Sequence, residues 1–192
     1  MIGNKRRPGF TVVEMMVAIT IFSTIAVIMS QTFVSYNQLH RRISYMATLG
    51  QDARFLNELF VREARNKLID YAGGSIASVD SELRLISRDG VTKARFAKQT
   101  AASGYCGTSG VDCIAYSNDD GATWNQVTSD KVNVLQFEVF ARPASDPFNV
   151  ITPGTIQPFS TIAVKLQYLS PNINERPTLQ TQTTVSSRVY LR

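Results

Sequence analysis

The hydrophobic rhythm of the chain changes twice, and each regime predicts a different element. Residues 15–39 carry no formal charge, and residues 17–29 are almost wholly apolar. As a helix rising about 1.5 Å per residue, this stretch is long enough to cross a hydrocarbon core of roughly 30 Å. Beyond it, Leu39, Ile43, Met46, Ala53, Leu56, Phe60 and Ala64 recur at helical spacing, with Arg41, Arg42, Arg54, Arg62 and Arg65 between them. That pattern predicts an amphipathic continuation of the same helix. Glu58 and Arg62 stand at i,i+4, where they can pair. No proline lies between Pro8 and Pro143, so the helix is predicted to run unbroken from about Thr11 to about Asp70, with Gly73-Gly74 ending it.

After residue 80 the period shortens to two. Residues 81–87 and 91–98 flank Arg88-Asp89-Gly90, where Asp-Gly is a hairpin signal. Residues 113–117 and 123–128 flank Asn118-Asp119-Asp120-Gly121, and 131–141, 161–169 and 181–191 read as further strands. Proline-rich joints fall at 143–158 and 171–177. One long helix followed only by strands is an α+β order. It predicts an N-terminal α-helix, membrane-spanning and then amphipathic, packed on a C-terminal antiparallel β-sheet domain. The chain has no internal repeat and no low-complexity tract.

Charge sets the direction of the membrane segment. Lys5, Arg6 and Arg7 precede it and predict a cytoplasmic N-terminus. They supply three of the formal net charge of +5, and removing them leaves +2 for residues 10–192. So small a surplus predicts no nucleic-acid partner. A cleaved secretory signal should end in small residues of A-x-A type, which Ser30-Gln31-Thr32 does not supply. A plain membrane anchor gives no reason for Glu14. An acid costs about 2.5–3.5 kcal/mol at the centre of a membrane helix and less near its edge, so Glu14 asks for a partner, which the leader's basic residues could supply.

Gly9-Phe10-Thr11-Val12-Val13-Glu14-Met15-Met16-Val17-Ala18, behind a short basic leader, resembles the leader junction of the type IV pilin superfamily. The resemblance implies a pilin fold, cleavage by a prepilin peptidase between Gly9 and Phe10, and methylation of the new amine of Phe10. It gives Glu14 a role in subunit assembly, neutralising the N-terminal ammonium of a neighbouring subunit. Low dielectric strengthens such a pair and desolvation opposes it. The implied divisions are a leader at 1–9, a transmembrane or filament-core helix at 10–39, an amphipathic helix at 40–72 and an extracytoplasmic β-rich domain at 73–192. Implied partners are the peptidase, other minor and major pilins or pseudopilins, the inner-membrane assembly platform and the membrane. Leu83-Arg84-Leu85-Ile86, residues 132–137, residues 161–166 and the ending from Leu179 to Arg188 are similar to W-type minor pilins and J-type minor pseudopilins of type II secretion. Many major pilins carry a proline partway along the membrane helix, where this chain has Ser30, Gln31 and Thr32. The K-type pseudopilin usually lacks the early glutamate. Both departures point to a minor subunit that initiates or caps assembly, displayed outside the cytoplasmic membrane.

Candidate chemistry elsewhere is sparse. Cys106 and Cys113 are the only cysteines, and outside the cytoplasm they predict a disulfide closing a small loop. Ser117-Asn118-Asp119-Asp120-Gly121-Ala122-Thr123-Trp124 resembles the Asp-box of sialidases, a hairpin brace rather than a catalytic element. Its acids and hydroxyls are expected to satisfy turn amides. Calcium is the sharper reading for the Asp119/Asp120 region, with Asp112 and Asp130 as further acids, although no fixed ligand spacing supports it. No cofactor is expected otherwise. The sole histidine, His40, sits beside Arg41 on the helix, and no phosphate-cradling glycine loop is present. The chain therefore reads as non-enzymatic. The alternative in another class is a signal-anchored extracytoplasmic binding protein, an adhesin or DNA-uptake receptor, which would keep its leader.

Overall fold

A computed structural model describes residues 9–71, 81–107, 110–144, 146–147 and 157–187. It contains one long helix, α1 (Val12–Asn66), followed by strands β1 (Leu68–Ile69), β2 (Glu82–Ile86), β3 (Lys93–Gln99), β4 (Cys113–Ser117), β5 (Asn125–Gln126), β6 (Val132–Arg142), β7 (Phe159–Tyr168) and β8 (Thr178–Ser186). Chain contacts divide it into two compact units, Met1–Ile43 and Ser44–Arg192.

In the first unit the described residues are exposed throughout. Helix α1 is apolar enough here to cross a membrane, with an 18-residue window of mean hydropathy 2.3 and none of it buried. Hydroxyl side chains in this half turn back on their own helix. Thr20 and Thr24 donate to the carbonyls of Val17 and Ile21 at 2.8 Å, and Ser23, Ser30 and Thr32 donate to Ile19, Ala26 and Ile28 at 2.8–2.9 Å. Each bond satisfies a hydroxyl that hydrocarbon could not, which is how such residues fit a membrane helix.

In the second unit the strands form two antiparallel sheets rather than one. Their orders are β1-β2-β3-β4-β5 and β6-β7-β8. The helix lays a stripe of Leu49, Ala53, Leu56, Phe60 and Ala64 into a core shared with Leu83, Leu85, Phe96, Ile114, Val134, Phe137, Val139, Ile162, Val164, Leu166 and Val185. Phe60 meets Phe96 edge-on, with ring centroids 6.3 Å apart. Expected stripe members Leu39, Ile43 and Met46 are instead exposed, and the buried stripe starts at Leu49. Arg62 pairs with its neighbour Glu63 at 3.4 Å rather than with Glu58.

The structure departs from the sequence expectation at the helix end, in β5, in the register of β6 and at β8, which starts at Thr178 rather than at 181. The helix stops at Asn66, not near Asp70, because Leu68 and Ile69 pair with Ile86 and Leu85 and are buried as β1. Gly73 and Gly74, the expected terminator, lie outside the described residues and after the observed end. The expected strand 123–128 contracts to β5, Asn125–Gln126. In β6, the buried positions run Val132 and Val134, then Phe137, Val139 and Ala141. A register shift against β7 between Val134 and Gln136 absorbs that change of parity and leaves Leu135 exposed, as a bulge does.

Candidate functional site

The residues at the start of α1 are built by local chemistry. Gly9 and Phe10 precede the helix as exposed, irregular chain, and Phe10 is 78% exposed. The Thr11 hydroxyl accepts from the Glu14 amide at 3.3 Å, and the Thr11 carbonyl accepts from Met15 at 3.2 Å. Thr11 is therefore the helix cap, satisfying a donor that the first turn leaves open. The Thr-x-x-Glu spacing is a capping-box pattern and is legible in the sequence, although no role for Thr11 is expected there.

Glu14 lies in the first turn, where the helix dipole favours a negative charge. Its carboxylate makes no ion pair or hydrogen bond with any described residue, and the surrounding Val12, Val13, Met15, Met16 and Val17 are at least half exposed. An added side-chain carbon at Gly9 would meet nothing within 4 Å. The fold itself thus places no demand for glycine there; any such demand comes from whatever binds the junction.

The second candidate region gathers the turn after β4. The Ser117 hydroxyl donates to Asp119 Oδ1 at 2.7 Å and accepts from the Gly121 amide at 2.9 Å. Asp119 accepts from the Thr123 amide at 2.8 Å and also from the Thr123 hydroxyl. Those bonds, the Thr123 hydroxyl first, pull the Asp119 carboxyl down to about 2. Asp120 and Gly121 both take left-handed backbone, with φ of 62° and 90°. Asp120 faces Arg95, which also reaches Glu82 at 3.2 Å, and that guanidinium holds the Asp120 carboxyl below its ordinary range.

The four acids named for calcium are directed to different partners. Asp112 pairs with Lys98 at 2.9 Å and accepts from the Ala101 amide at 3.2 Å, and Asp130 accepts from Gln126 at 3.1 Å. Among the described residues, no three His, Cys, Asp or Glu side chains gather as a metal site. Trp124 is half-buried, 6.4 Å from the Tyr105 ring, so the motif's local pattern acts as a turn brace. Cys106 and Cys113 form a disulfide with their Cα atoms 5.7 Å apart. His40 stacks on Tyr36, one turn earlier on the helix, at 6.3 Å.

Comparison with known proteins falls on the first region. Residues 4–30 match the family model described as the prokaryotic N-terminal methylation motif. This chain carries that methylation motif. The match takes in Gly9, Phe10, Thr11 and Glu14, and it stops short of the sheets. The methylation motif is consistent with a type IV pilin or pseudopilin. It implies processing by a prepilin peptidase, pilin-type assembly partners and a membrane anchor, and the single long helix on antiparallel sheets agrees in class with the pilin fold. No curated protein and no solved structure matches the chain significantly.

Proposed function

We propose that the chain is a minor pilin or pseudopilin, a structural, non-enzymatic subunit that helps to initiate or cap a type IV pilus or type II secretion pseudopilus. The peptidase cuts between Gly9 and Phe10, and the exposed junction gives it access. The amine of Phe10 is then methylated. The N-terminus starts on the cytoplasmic side and the sheets fold outside, with the assembly platform drawing the subunit into a filament with other minor and major subunits.

One observation carries this reading. Among the described residues Glu14 presents an unpaired carboxylate on an exposed apolar helix, four residues after the amine that cleavage would create. In a filament core, the ammonium of a neighbouring subunit would neutralise it, and the low dielectric that makes a lone charge costly strengthens the pair. The apolar half of α1 would exchange lipid for neighbouring helices with little change in its surroundings. The unbroken helix, with Ser30, Gln31 and Thr32 in place of a proline, supports a minor over a major role.

The test is to quantify the tagged chain in sheared filaments and to count filaments after its deletion. A small share of total subunits, with fewer filaments in its absence, supports the proposal. A chain that forms the bulk of the filament, or filament numbers untouched by deletion, contradicts it.

A further inference from the structure

Among the described residues, strand β8 is an open edge. The order β6-β7-β8 gives it a single neighbour, and its register with β7 runs unbroken from Thr178 to Ser186. The Tyr168 amide donates to the Pro177 carbonyl at 3.0 Å, and the Ser187 amide to the Pro158 carbonyl at 3.3 Å. Bonded positions alternate along an antiparallel pair, so the odd-numbered residues from 177 to 187 face β7. Thr178, Gln180, Gln182, Thr184 and Ser186 therefore turn their N–H and C=O groups outward. None of these five makes a further backbone hydrogen bond on that side.

Exposed edges are usually blunted by charge, proline or a bulge. Strand β8 has none of these, and no formal charge occurs from Pro177 to Ser187. The opposite edge of the same sheet is protected. Strand β6 carries a bulge, Glu138 and Arg142, and its Val134 amide donates to the Asp112 carbonyl at 2.9 Å.

The sequence of β8 is also complementary to itself. Reversed about Gln182, it sets Leu179 against Val185, Thr181 against Thr183, Gln180 against Thr184 and Thr178 against Ser186. On the inner face Leu179 meets Val185 and Thr181 meets Thr183, and on the exposed face uncharged polar meets uncharged polar. In this register every outward-facing residue meets another, so each pair can exchange both hydrogen bonds. We propose that β8 is a docking edge for a second copy of this chain, paired antiparallel about a two-fold axis at Gln182, joining the two sheets into one.

The direction of the pair follows from what lies along β8. Asn57 accepts from Thr183 at 3.0 Å and donates to Thr181 at 3.4 Å, while the Ser187 hydroxyl donates to the Lys67 carbonyl at 3.0 Å. Strand β8 thus runs alongside the 57–67 segment in the same direction, and the two-fold reverses that segment in the second copy.

The experiment uses the full chain in detergent micelles. Cys106 and Cys113 are already bonded, so an introduced cysteine stands alone. Under mild oxidation Gln182→Cys, on the axis, should cross-link to itself. Gln180→Cys should do so only when mixed with Thr184→Cys. In sedimentation, Gln180→Lys with Thr184→Lys places lysine opposite lysine twice and should weaken the dimer by roughly tenfold. Gln180→Lys with Thr184→Glu loses the same Thr184 hydroxyl bond to Thr161 yet should retain the dimer, because each lysine then meets a glutamate. A monomeric wild type, equal cross-linking at all three positions, or a double-lysine variant that pairs like wild type overturns the proposal. None of these readouts depends on leader processing, so their failure is distinct from failure of the filament role.

Discussion

The Thr11 hydroxyl accepts a hydrogen bond from the backbone amide of Glu14, and the Glu14 side chain has no partner among the described residues. One residue thus closes the helix start while the other presents a charge. The two tasks are separable by mutation. Glu14→Gln keeps the amide that Thr11 holds and removes only the charge. Helix content and membrane insertion should stay unchanged, while incorporation into filaments should fall by at least about tenfold, as expected on removing one member of a desolvated ion pair. Thr11→Ala should cost about 0.5–2 kcal/mol in helix start with the charge intact, a loss that frays the first turn and leaves assembly closer to wild type. Circular dichroism and filament co-purification, run on both variants, separate the roles.

At Gly9 the fold has room for a side chain. Gly9→Ala should therefore leave folding and membrane insertion unchanged while slowing leader removal. Pulse-labelled cells, followed for the shift from precursor to mature mass, provide the readout. Cleavage at the wild-type rate would show that the peptidase does not require glycine in this chain.

Phe60 is fully buried and meets Phe96 edge-on where the helix joins the sheets. Phe60→Ala should lose about 3–5 kcal/mol through lost transfer energy and the cavity left behind. Arg54→Ala, on the exposed face of the same helix, should stay within about 0.5 kcal/mol of wild type. Urea unfolding in detergent measures both.

The Cys106–Cys113 disulfide closes a loop of seven-residue separation. Replacing both cysteines with serine should lower stability by about 2–3 kcal/mol on a loop-entropy estimate. The loop should also become the first site of proteolysis, since it would no longer be pinned beside β3 and β4. Limited proteolysis with and without reductant reads this directly.

Asp119 titrates at about 2 in the folded chain, against an ordinary value of 3.8. A carboxyl depressed on folding contributes stability that is fully present above the ordinary value and lost as pH falls through the folded value. The unfolding midpoint of wild type should therefore exceed that of Asp119→Asn above about pH 4, and the gap should close between about pH 4 and pH 2. A gap that persists unchanged at pH 2 would assign the effect to the turn's shape rather than to its charge.

Much of this molecule was legible because single residues and short spacings decide it. The charge-free run of residues 15–39, the Asp-Gly hairpin at Asp89-Gly90 and the alternation in β7 each follow from one periodicity. What was not legible depends on long-range partners. Leu68 and Ile69 continue the helical pattern, but pairing with β2 draws them into a strand. The parity change in β6 gives no sign of how the strands divide between two sheets; the bulge at Leu135 becomes visible only against β7. At the junction, the order of Gly9, Phe10 and Glu14 is itself the signal, whereas the cap at Thr11 depends on where the helix starts, which shows only in its bond to the Glu14 amide. The open edge of β8 has no sequence signal at all until the sheet order is known.

The most direct test of the account is the mass of the mature N-terminus, read by intact and N-terminal peptide mass spectrometry on the chain from native membranes. The expected mature chain starts at N-methylated Phe10. A chain retaining residues 1–9, in cells whose prepilin peptidase is active, would contradict it and favour a membrane-anchored binding protein.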